Sequence, residues 1–411
     1  MMDKGAIKQK ASLFSVFFTF AVDNLGATIV FPIFAPLFLD PSQGLLGADV
    51  SSSYKTTLLG IFLGIYPFMQ FLFAPILGEY ADHHGRKKAF LLTTFLTFIG
   101  YAISGFGIHH HSLFWIFFSR LIMGIGAGNL SICLSSLSDL SPSKKKKTRY
   151  YSYGSAIAGF TFILGPFIGG KLSDPTVNPL FNSSFPMWIG AILGLINVLF
   201  ILFAFVETLK TPSKNAFDLI KGIHNIQMAL KTKSVRSLYL IYFFFLFSWN
   251  IIFLFVPAFV VQNFHLSNSK IGDICALLGI CWIFGTGILH RILYHTIRPK
   301  WILLFAFLIF SILVIFVPHP HFLKGFLLIL GSCTILSGLI WPICTSAISN
   351  AAPDEIQGKV LGLSQSMLSI TMMLSSLLGG FFLHAHSLVP FVFSSISSLI
   401  AAALLLKTKV E

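Results

Sequence analysis

Two charged residues of opposite sign stand inside long apolar runs. Asp23 lies in Phe20-Ala21-Val22-Asp23-Asn24-Leu25-Gly26, and Arg120 opens Arg120-Leu121-Ile122-Met123-Gly124-Ile125-Gly126-Ala127-Gly128. A charged side chain at the centre of a bilayer costs roughly 2.5–3.5 kcal/mol on insertion scales, so such residues are kept for function or for pairing. The chemistry open to this pair is proton transfer. Taking a carboxylate out of water favours its protonated form, and a nearby guanidinium favours the ionised one. A cavity that opens and closes over Asp23 would load and release a proton, with Arg120 setting the balance. The same two residues could instead form a fixed ion pair that holds two helices in register.

Charge is also concentrated in Gly78-Glu79-Tyr80-Ala81-Asp82-His83-His84-Gly85-Arg86-Lys87-Lys88, between two apolar runs of membrane length. It reads as a short polar hinge at a membrane surface and as a candidate gate. Small residues form a third pattern. Arg120, Gly124 and Gly128 recur every four residues and so share a helix face, where glycine lets a neighbouring backbone come close in lipid. Gly154, Ala158, Thr161, Gly165 and Gly169 make a similar stripe, with Pro166 expected to add a kink. Gly362, Ser366, Ser369, Ser376 and Gly380 repeat it late in the chain. Such stripes suit either half-bundles that rock against each other or tight static packing.

Membrane-spanning helices must position these residues. The chain has 411 residues, 55% hydrophobic and only 10% charged, with mean hydropathy +0.84, whereas soluble domains carry about 25% charged residues. A span needs roughly 20 mostly apolar residues. Twelve such runs fall near 13–39, 56–80, 89–108, 112–138, 150–173, 186–206, 236–263, 271–290, 300–317, 322–348, 359–384 and 388–406. The first is too long for a cleaved signal peptide. The net charge of +14 does not imply nucleic acid, because lysine and arginine alternate between loops: 23 of the 28 fall on one side once Lys4, Lys8 and Lys10 are placed there. The positive-inside rule then predicts both termini in the cytoplasm. Lys144-Lys145-Lys146-Lys147 reads as a topology signal, with anionic-lipid or partner binding as the lesser reading.

The expected organisation is a six-helix bundle over 1–206, a cytoplasmic linker over 207–235 and a second six-helix bundle over 236–411. Residues 217–230 could form an amphipathic surface helix. The halves echo each other: Asp139-Leu140-Ser141-Pro142 precedes a helix ending Gly169-Gly170, and Ala352-Pro353-Asp354-Glu355 precedes one ending Gly379-Gly380. An internal repeat of this kind favours a transporter with its substrate site near mid-membrane. No GxxxxGK[ST] loop is present, so ATP is not the expected energy source, and an ion gradient is. Cys133, Cys275, Cys281, Cys333 and Cys344 all fall within apolar runs and imply no disulfide framework. His109-His110-His111, and His319 with His321, read as outer turns rather than metal sites.

These residues carry a family resemblance. Gly78-Glu-Tyr-Ala-Asp82-His-His-Gly85-Arg86-Lys87 resembles the G-x-x-x-D-x-x-G-R-[KR] signature between the second and third helices of the major facilitator superfamily. The Arg120 segment is similar to the R-x-x-x-G-x-G motif of that family's fourth helix, and Gly165-Pro166-Phe167-Ile168-Gly169-Gly170 to the fifth-helix motif of its drug/proton antiporters. Asp23-Asn24-Leu25-Gly26 with Pro32, and Met69-Gln70-Phe71-Leu72-Phe73-Ala74-Pro75-Ile76-Leu77-Gly78, resemble the first two helices of the twelve-span antiporters that include tetracycline exporters. Thr161 stands where that fifth-helix motif has a glycine, and the loop between the eighth and ninth helices keeps only Arg291, Arg298 and Lys300. The resemblance implies an all-α major facilitator fold, twelve helices in two pseudo-symmetric six-helix bundles. It also implies a switch at Gly78, Asp82, Gly85, Arg86 and Lys87, in which Asp82 caps or pairs with a neighbouring helix end and the basic residues bridge to acids nearby.

The expected function is export of a small organic compound in exchange for protons by alternating access, with Asp23 as proton carrier and Arg120 as its modulator. Gly124, Gly128, Gly165, Pro166, Gly169 and Gly170 are expected to pack helices. Candidate substrate contacts are Asn24, Gln70, Asn129, Trp249, Asn250, Trp341 and Gln365, a weakly charged set amid 46 phenylalanines that suits amphiphilic or cationic molecules. No cofactor, metal, nucleic acid or catalytic residue is expected. The chain reads as a monomer in a bacterial inner membrane. Alternatives within transport are proton-coupled nutrient uptake or export of a metabolite such as a siderophore. A membrane-embedded enzyme would need clustered catalytic groups at one surface, and none is found; a non-transporting sensor on the same fold is the remaining class.

Overall fold

The computed structural model describes residues 4–43, 45–212, 233–319, 322–351, 357–385 and 388–408. Residues 217–230, His321 and Ala352-Pro353-Asp354-Glu355, on which expectations were placed, lie outside the described residues, as does most of the 207–235 linker. The described residues contain helices and no strands. That is the solution lipid imposes, since a backbone in hydrocarbon must satisfy its polar groups within the segment. Among the described residues, twelve spans are long and apolar enough to cross a membrane: α1 (Ile7–Leu39), α2 (Ser52–His84), α3 (Arg86–His109), α4 (Leu113–Asp139), α5 (Lys144–Leu172), α6 (Phe185–Phe203), α7 (Val235–Phe264), α8 (Asn268–Tyr294), α9 (Pro299–Phe316), α10 (Leu323–Asn350), α11 (Leu363–Leu383) and α12 (Val389–Leu406).

Three spans are interrupted. α1 breaks at Ile29–Val30, just before Pro32, between helical pieces Lys4–Thr28 and Phe31–Leu39. α4 breaks at Ala127–Gly128, between Leu113–Gly126 and Asn129–Asp139. α8 widens into a π-helical turn at Phe284–Leu289. By contrast α5 runs as one helix through Pro166.

Contacts gather the chain into two compact units, one of Met1–Ile33 with Ile65–Gly222 and the other of Phe34–Gly64 with Ile223–Glu411. The sequence division differs from this in assigning Phe34–Gly64 to the first half. In the first unit α3 packs on α4 and α6, and α1 packs on α5 and α6. The small-residue stripe of α5 lies on α1 inside this unit: a Cβ at Gly165 would come within 3.0 Å of the Leu25 carbonyl, and one at Gly169 within 2.9 Å of Ile29 Cγ1. Gly154 faces Phe20, and Thr161, despite its hydroxyl, is buried there because Oγ1 donates to Ile157 O at 2.8 Å. Gly170 and Pro166 are buried on the same helix.

In the second unit α7 packs on α11 and α12, and α9 on α10 and α12. Serines of α12 fasten it: Ser394 Oγ donates to Ser248 O at 2.7 Å, Ser395 Oγ to Ser311 O at 2.8 Å, Ser397 Oγ to Phe244 O at 2.8 Å and Ser398 Oγ to Phe307 O at 2.9 Å. Small polar side chains of this kind replace the hydrophobic drive that lipid removes. α11 meets the outer part of α2, where a Cβ on Gly380 would stand 2.7 Å from Gly60 Cα and 2.8 Å from Thr56 O. Gly380→Val should therefore cost about 1–3 kcal/mol by overpacking, read as a lower thermal midpoint in detergent. Gly287→Ala, whose added carbon meets nothing within 4 Å, should leave the midpoint unchanged.

Candidate functional site

The charged stretch after α2 is not a loop. α2 continues as helix to His84 and α3 begins at Arg86, so Gly85 alone is the joint. One helix-compatible pair lies within the stretch, His83 Nε2 3.7 Å from Glu79 Oε1 one turn earlier, and a second pair spans the joint, Arg86 Nη1 2.5 Å from Asp82 Oδ1. Gly85 takes φ 101 and ψ 150, a conformation open to glycine. A side chain there would also strike the Glu207 carboxylate, whose Cδ would be 3.0 Å away.

Glu207, just beyond α6, closes the joint. Its Oε1 accepts from Arg86 N at 2.9 Å and its Oε2 from Lys87 N at 3.0 Å, so one carboxylate satisfies two orphan amides at the positive end of α3. Thr208 N and Leu209 N donate to Oε1 at 2.9 and 2.8 Å and hold the side chain in place. The Arg86 side chain, buried at the joint, also reaches Asp139 Oδ2 at the end of α4, at 3.3 Å from Nε. The ends of α2, α3 and α4 and the segment after α6 are thereby tied at one point. Of the two roles expected for Asp82, capping or pairing with a neighbouring helix end, it makes the pairing, with Arg86 at the start of α3, while Glu207 makes the cap. Lys87 contributes its backbone amide, and Gly78 sits one helical stretch earlier, facing Ser131. Sequence reasoning passed over Glu207 because a lone acid after an apolar run looks like the start of a linker.

Deeper in the same unit, the structure gathers a second constellation. Asn129 lies against Asp23, and Tyr66 and Cys133 are within its electrostatic reach. Asp23 Oδ2 and Asn129 Nδ2 are buried atoms with no hydrogen-bond partner among the described residues. Thr93 Oγ1 donates to Asn129 Oδ1 and fixes that amide. Asn129 is placed by the break in α4, where it opens the second helical piece, and Gln70 Nε2 donates to the carbonyl of Ala127 at 3.4 Å. Arg120 is 4% exposed, and its electrostatic neighbours are Tyr101 and Tyr66. Tyr66 thus interacts with both Asp23 and Arg120.

Glycines seat those tyrosines. A Cβ on Gly124 would be 2.7 Å from Tyr66 O, one on Gly26 would collide with the Tyr101 hydroxyl, and one on Gly190 would be 2.7 Å from Tyr101 Cδ1. Gly128, on the α4 turn rather than the helix face expected for it, faces Leu77. Tyr66 and Tyr101 carried no local signal in the sequence; only the folded helices bring them to the charges.

The remaining candidates divide. Asn24 Nδ2 donates to Phe20 O at 2.7 Å within its own helix, and Asn250 Nδ2 to Thr371 Oγ1 at 3.2 Å, bridging α7 to α11. Gln365 is half-buried, and its carbonyl accepts from Ser369 Oγ at 3.3 Å. Trp249 and Trp341 lie in the second unit on either side of Trp282, with ring centroids 5.2 and 5.8 Å from it. No group of three or more potential metal ligands occurs among the described residues.

The sequence profile described as Major Facilitator Superfamily matches residues 16–337 and again 238–411. A tetracycline resistance protein, class H, from Pasteurella multocida is 28% identical over 373 residues, covering 88% of this chain and 86% of its own. Multidrug resistance protein 2 of Bacillus subtilis (strain 168) is 25% identical over 361 residues, covering 84% of this chain and 85% of its own. A crystal structure of a D-xylose-proton symporter superposes with a TM-score of 0.76 over 97% of each chain at 14% identity, a likeness of fold.

Glu207→Ala leaves the first amides of α3 without their acceptor, and loss of a helix cap costs about 0.5–2 kcal/mol. The variant should show faster amide hydrogen exchange at Arg86 and Lys87 and a lower thermal midpoint. Unchanged exchange there would mean the carboxylate does not hold the helix end.

Proposed function

The chain belongs to the major facilitator superfamily, and on that premise we propose that it exports a small organic compound in exchange for protons by alternating access. Its family and its relatives are transporters, which sets enzymes aside. The observation that carries the proton coupling is the open carboxylate oxygen of Asp23, buried inside a membrane-length helix beside Asn129. A carboxylate locked into an ion pair must break it to take up a proton. Asp23 instead has neutral Asn129 and Tyr66 beside it. Arg120 acts on it through Tyr66, so that movement of α2 or α4 changes how well the ionised carboxylate is stabilised.

The export direction is supported by relatives named for tetracycline and multidrug resistance. In this reading the Gly85 joint is the conformational switch, with Gly78, Asp82, Arg86 and Lys87 around it. The Lys/Arg distribution supports a multi-pass protein with the joint and both termini in the cytoplasm, in a bacterial inner membrane.

Substrate flux in inverted membrane vesicles under an imposed pH gradient tests the proposal. Asp23→Asn should reduce gradient-driven accumulation at least tenfold while counterflow without a gradient persists. Asp82→Asn should slow both while expression and thermal midpoint stay near wild type. Uptake into right-side-out vesicles driven by external acidification would overturn antiport, and an Asp23→Asn variant with full gradient-driven transport would remove Asp23 as the carrier.

A further inference from the structure

The first unit carries a cationic corner that the proton chemistry does not use. Helices α1 and α5 run parallel, since Phe20 meets Gly154, the Leu25 carbonyl meets Gly165 and Ile29 meets Gly169, in the same order along both. Their N-terminal turns therefore lie at one end of the unit, where Gln9 Nε2 also ties α1 to the α4–α5 turn by donating to Leu140 O at 3.1 Å. Lys8 and Lys10 of α1 are gathered there with Lys144–Lys147 and Arg149 of α5, and none of them makes an ion pair with a described residue. The acids at that end are engaged elsewhere: Asp82 and Asp139 with Arg86, Glu79 with His83, and Glu207 with the amides of Arg86 and Lys87.

Part of this charge stands over an aromatic seam. Phe17 of α1 packs against Tyr150 and Tyr153 of α5, with ring centroids 6.3 and 6.2 Å apart. Lys10 lies seven residues before Phe17 and Lys146 seven before Tyr153, so each shares the face of its ring, two turns nearer the helix end. Arg149 is held beside them, because its Nε donates to the Tyr153 hydroxyl at 2.5 Å and its guanidinium carbon lies 5.4 Å from that ring's centroid. This bond uses one of five N–H donors and leaves four. Below the cations the exposed surface is apolar. Phe14, one turn after Lys10, is 54% exposed, and Tyr153 and Phe160, on the Arg149 face of α5, are 42% and 62% exposed. Arg149 to Phe160 spans about 16 Å of helix, close to half of a hydrocarbon core roughly 30 Å thick.

We propose that Lys10, Lys146 and Arg149 bind the phosphate of an anionic phospholipid in the leaflet at that end, with its acyl chains along Phe14, Tyr153 and Phe160. A guanidinium matches phosphate oxygens with paired N–H donors, and two ammonium groups supply further charge-assisted bonds. A zwitterionic lipid brings its own ammonium group close to the phosphate and meets the corner less well. A soluble anion or an acidic protein could meet the charges but not the apolar face beneath them. The site does not rest on the export reading.

The test is native mass spectrometry of the purified protein, titrated in neutral detergent with phosphatidylglycerol or with phosphatidylcholine of the same chains. Wild type should bind its first phosphatidylglycerol with a Kd at least tenfold below that for phosphatidylcholine. Lys146→Gln combined with Arg149→Gln should raise the phosphatidylglycerol Kd at least tenfold, and Lys10→Gln at least threefold. Lys144→Gln combined with Lys147→Gln removes the same charge from other faces, Lys144 lying opposite Tyr153 and Lys147 over the Tyr151 ring at 5.6 Å, and should raise it less than threefold. Millimolar inorganic phosphate should not displace the lipid. Equal binding of the two lipids by wild type, an unchanged Kd in the Lys146/Arg149 variant, an equal loss in the Lys144/Lys147 variant, or displacement by phosphate alone would overturn the lipid site. Thermal midpoints measured without added lipid identify a variant that has lost its fold, and Lys10→Gln, on the other helix, keeps the test valid if the double variant does. Substrate flux plays no part in the readout, so failure here leaves the transport reading standing.

Discussion

The first unit is organised around a guanidinium held out of water. Arg120 is 4% exposed within the first half of α4, and a buried charge left without compensation is among the costlier defects a fold can carry. Tyr66 and Tyr101 stand beside it, and both reach it because other residues are small. Tyr101 sits in a slot made by Gly26 of α1 and Gly190 of α6, and Tyr66 is brought in where Gly124 lets the α2 backbone lie against α4. Glycines on three helices thus serve one charge. Their positions couple the packing of α1, α2, α4 and α6 to the electrostatics of a single side chain, so a shift in any of these helices is felt at Arg120.

The unit contains a second buried arginine, and the contrast between the two is instructive. Arg86 lies at a helix junction, where its side chain meets the carboxylates of Asp82 and Asp139 and its own amide meets Glu207. That arrangement uses charge against charge and a helix dipole, and it is suited to holding four chain segments at one point. Arg120 is instead flanked by phenols, with Tyr66 shared between it and Asp23. In the proposed function, neutral Asn129 and Tyr66 beside Asp23 leave its carboxylate available for a change of protonation. The same residue type therefore serves a structural knot in one place and, in the proposed cycle, a regulator in the other.

Much of this was legible in the sequence, and what was not has a physical reason. The spans were readable because bilayer thickness sets an apolar length; the run expected near 236–263, for example, begins and ends within a residue of α7, Val235–Phe264. Asp23 and Arg120 stood out because charge is costly where they lie. Tyr66, Tyr101 and Glu207 did not stand out, since aromatics are abundant in an apolar chain and an acid after a span resembles any linker residue. Their importance comes from contacts between segments distant in sequence. The stretch around Asp82 looked like a loop because composition cannot separate a polar helix end from a turn; the one-turn pair Glu79–His83 suits helix up to the single glycine that ends it, and Asp82–Arg86 then bridges that glycine.

The internal echo of the sequence also needs a finer reading than symmetry supplies. The glycine stripes of α5 and α11 look equivalent, yet they are used differently. Gly165 and Gly169 of α5 both receive α1. On α11, Gly379 receives the Phe255 ring from α7, while Gly380 receives Gly60 from the outer part of α2. That part of α2 is grouped with the second unit together with Phe34–Leu39, the end of α1. The change of grouping within α1, after Ile33, follows closely on the break at Ile29–Val30, and within α2, after Gly64, it precedes Pro67. Where backbone hydrogen bonds are already interrupted, a helix can bend without breaking more of them. Two spans that each contribute to both units therefore carry their weak points close to the place where their allegiance changes, and Asp23 lies less than two turns from the one in α1.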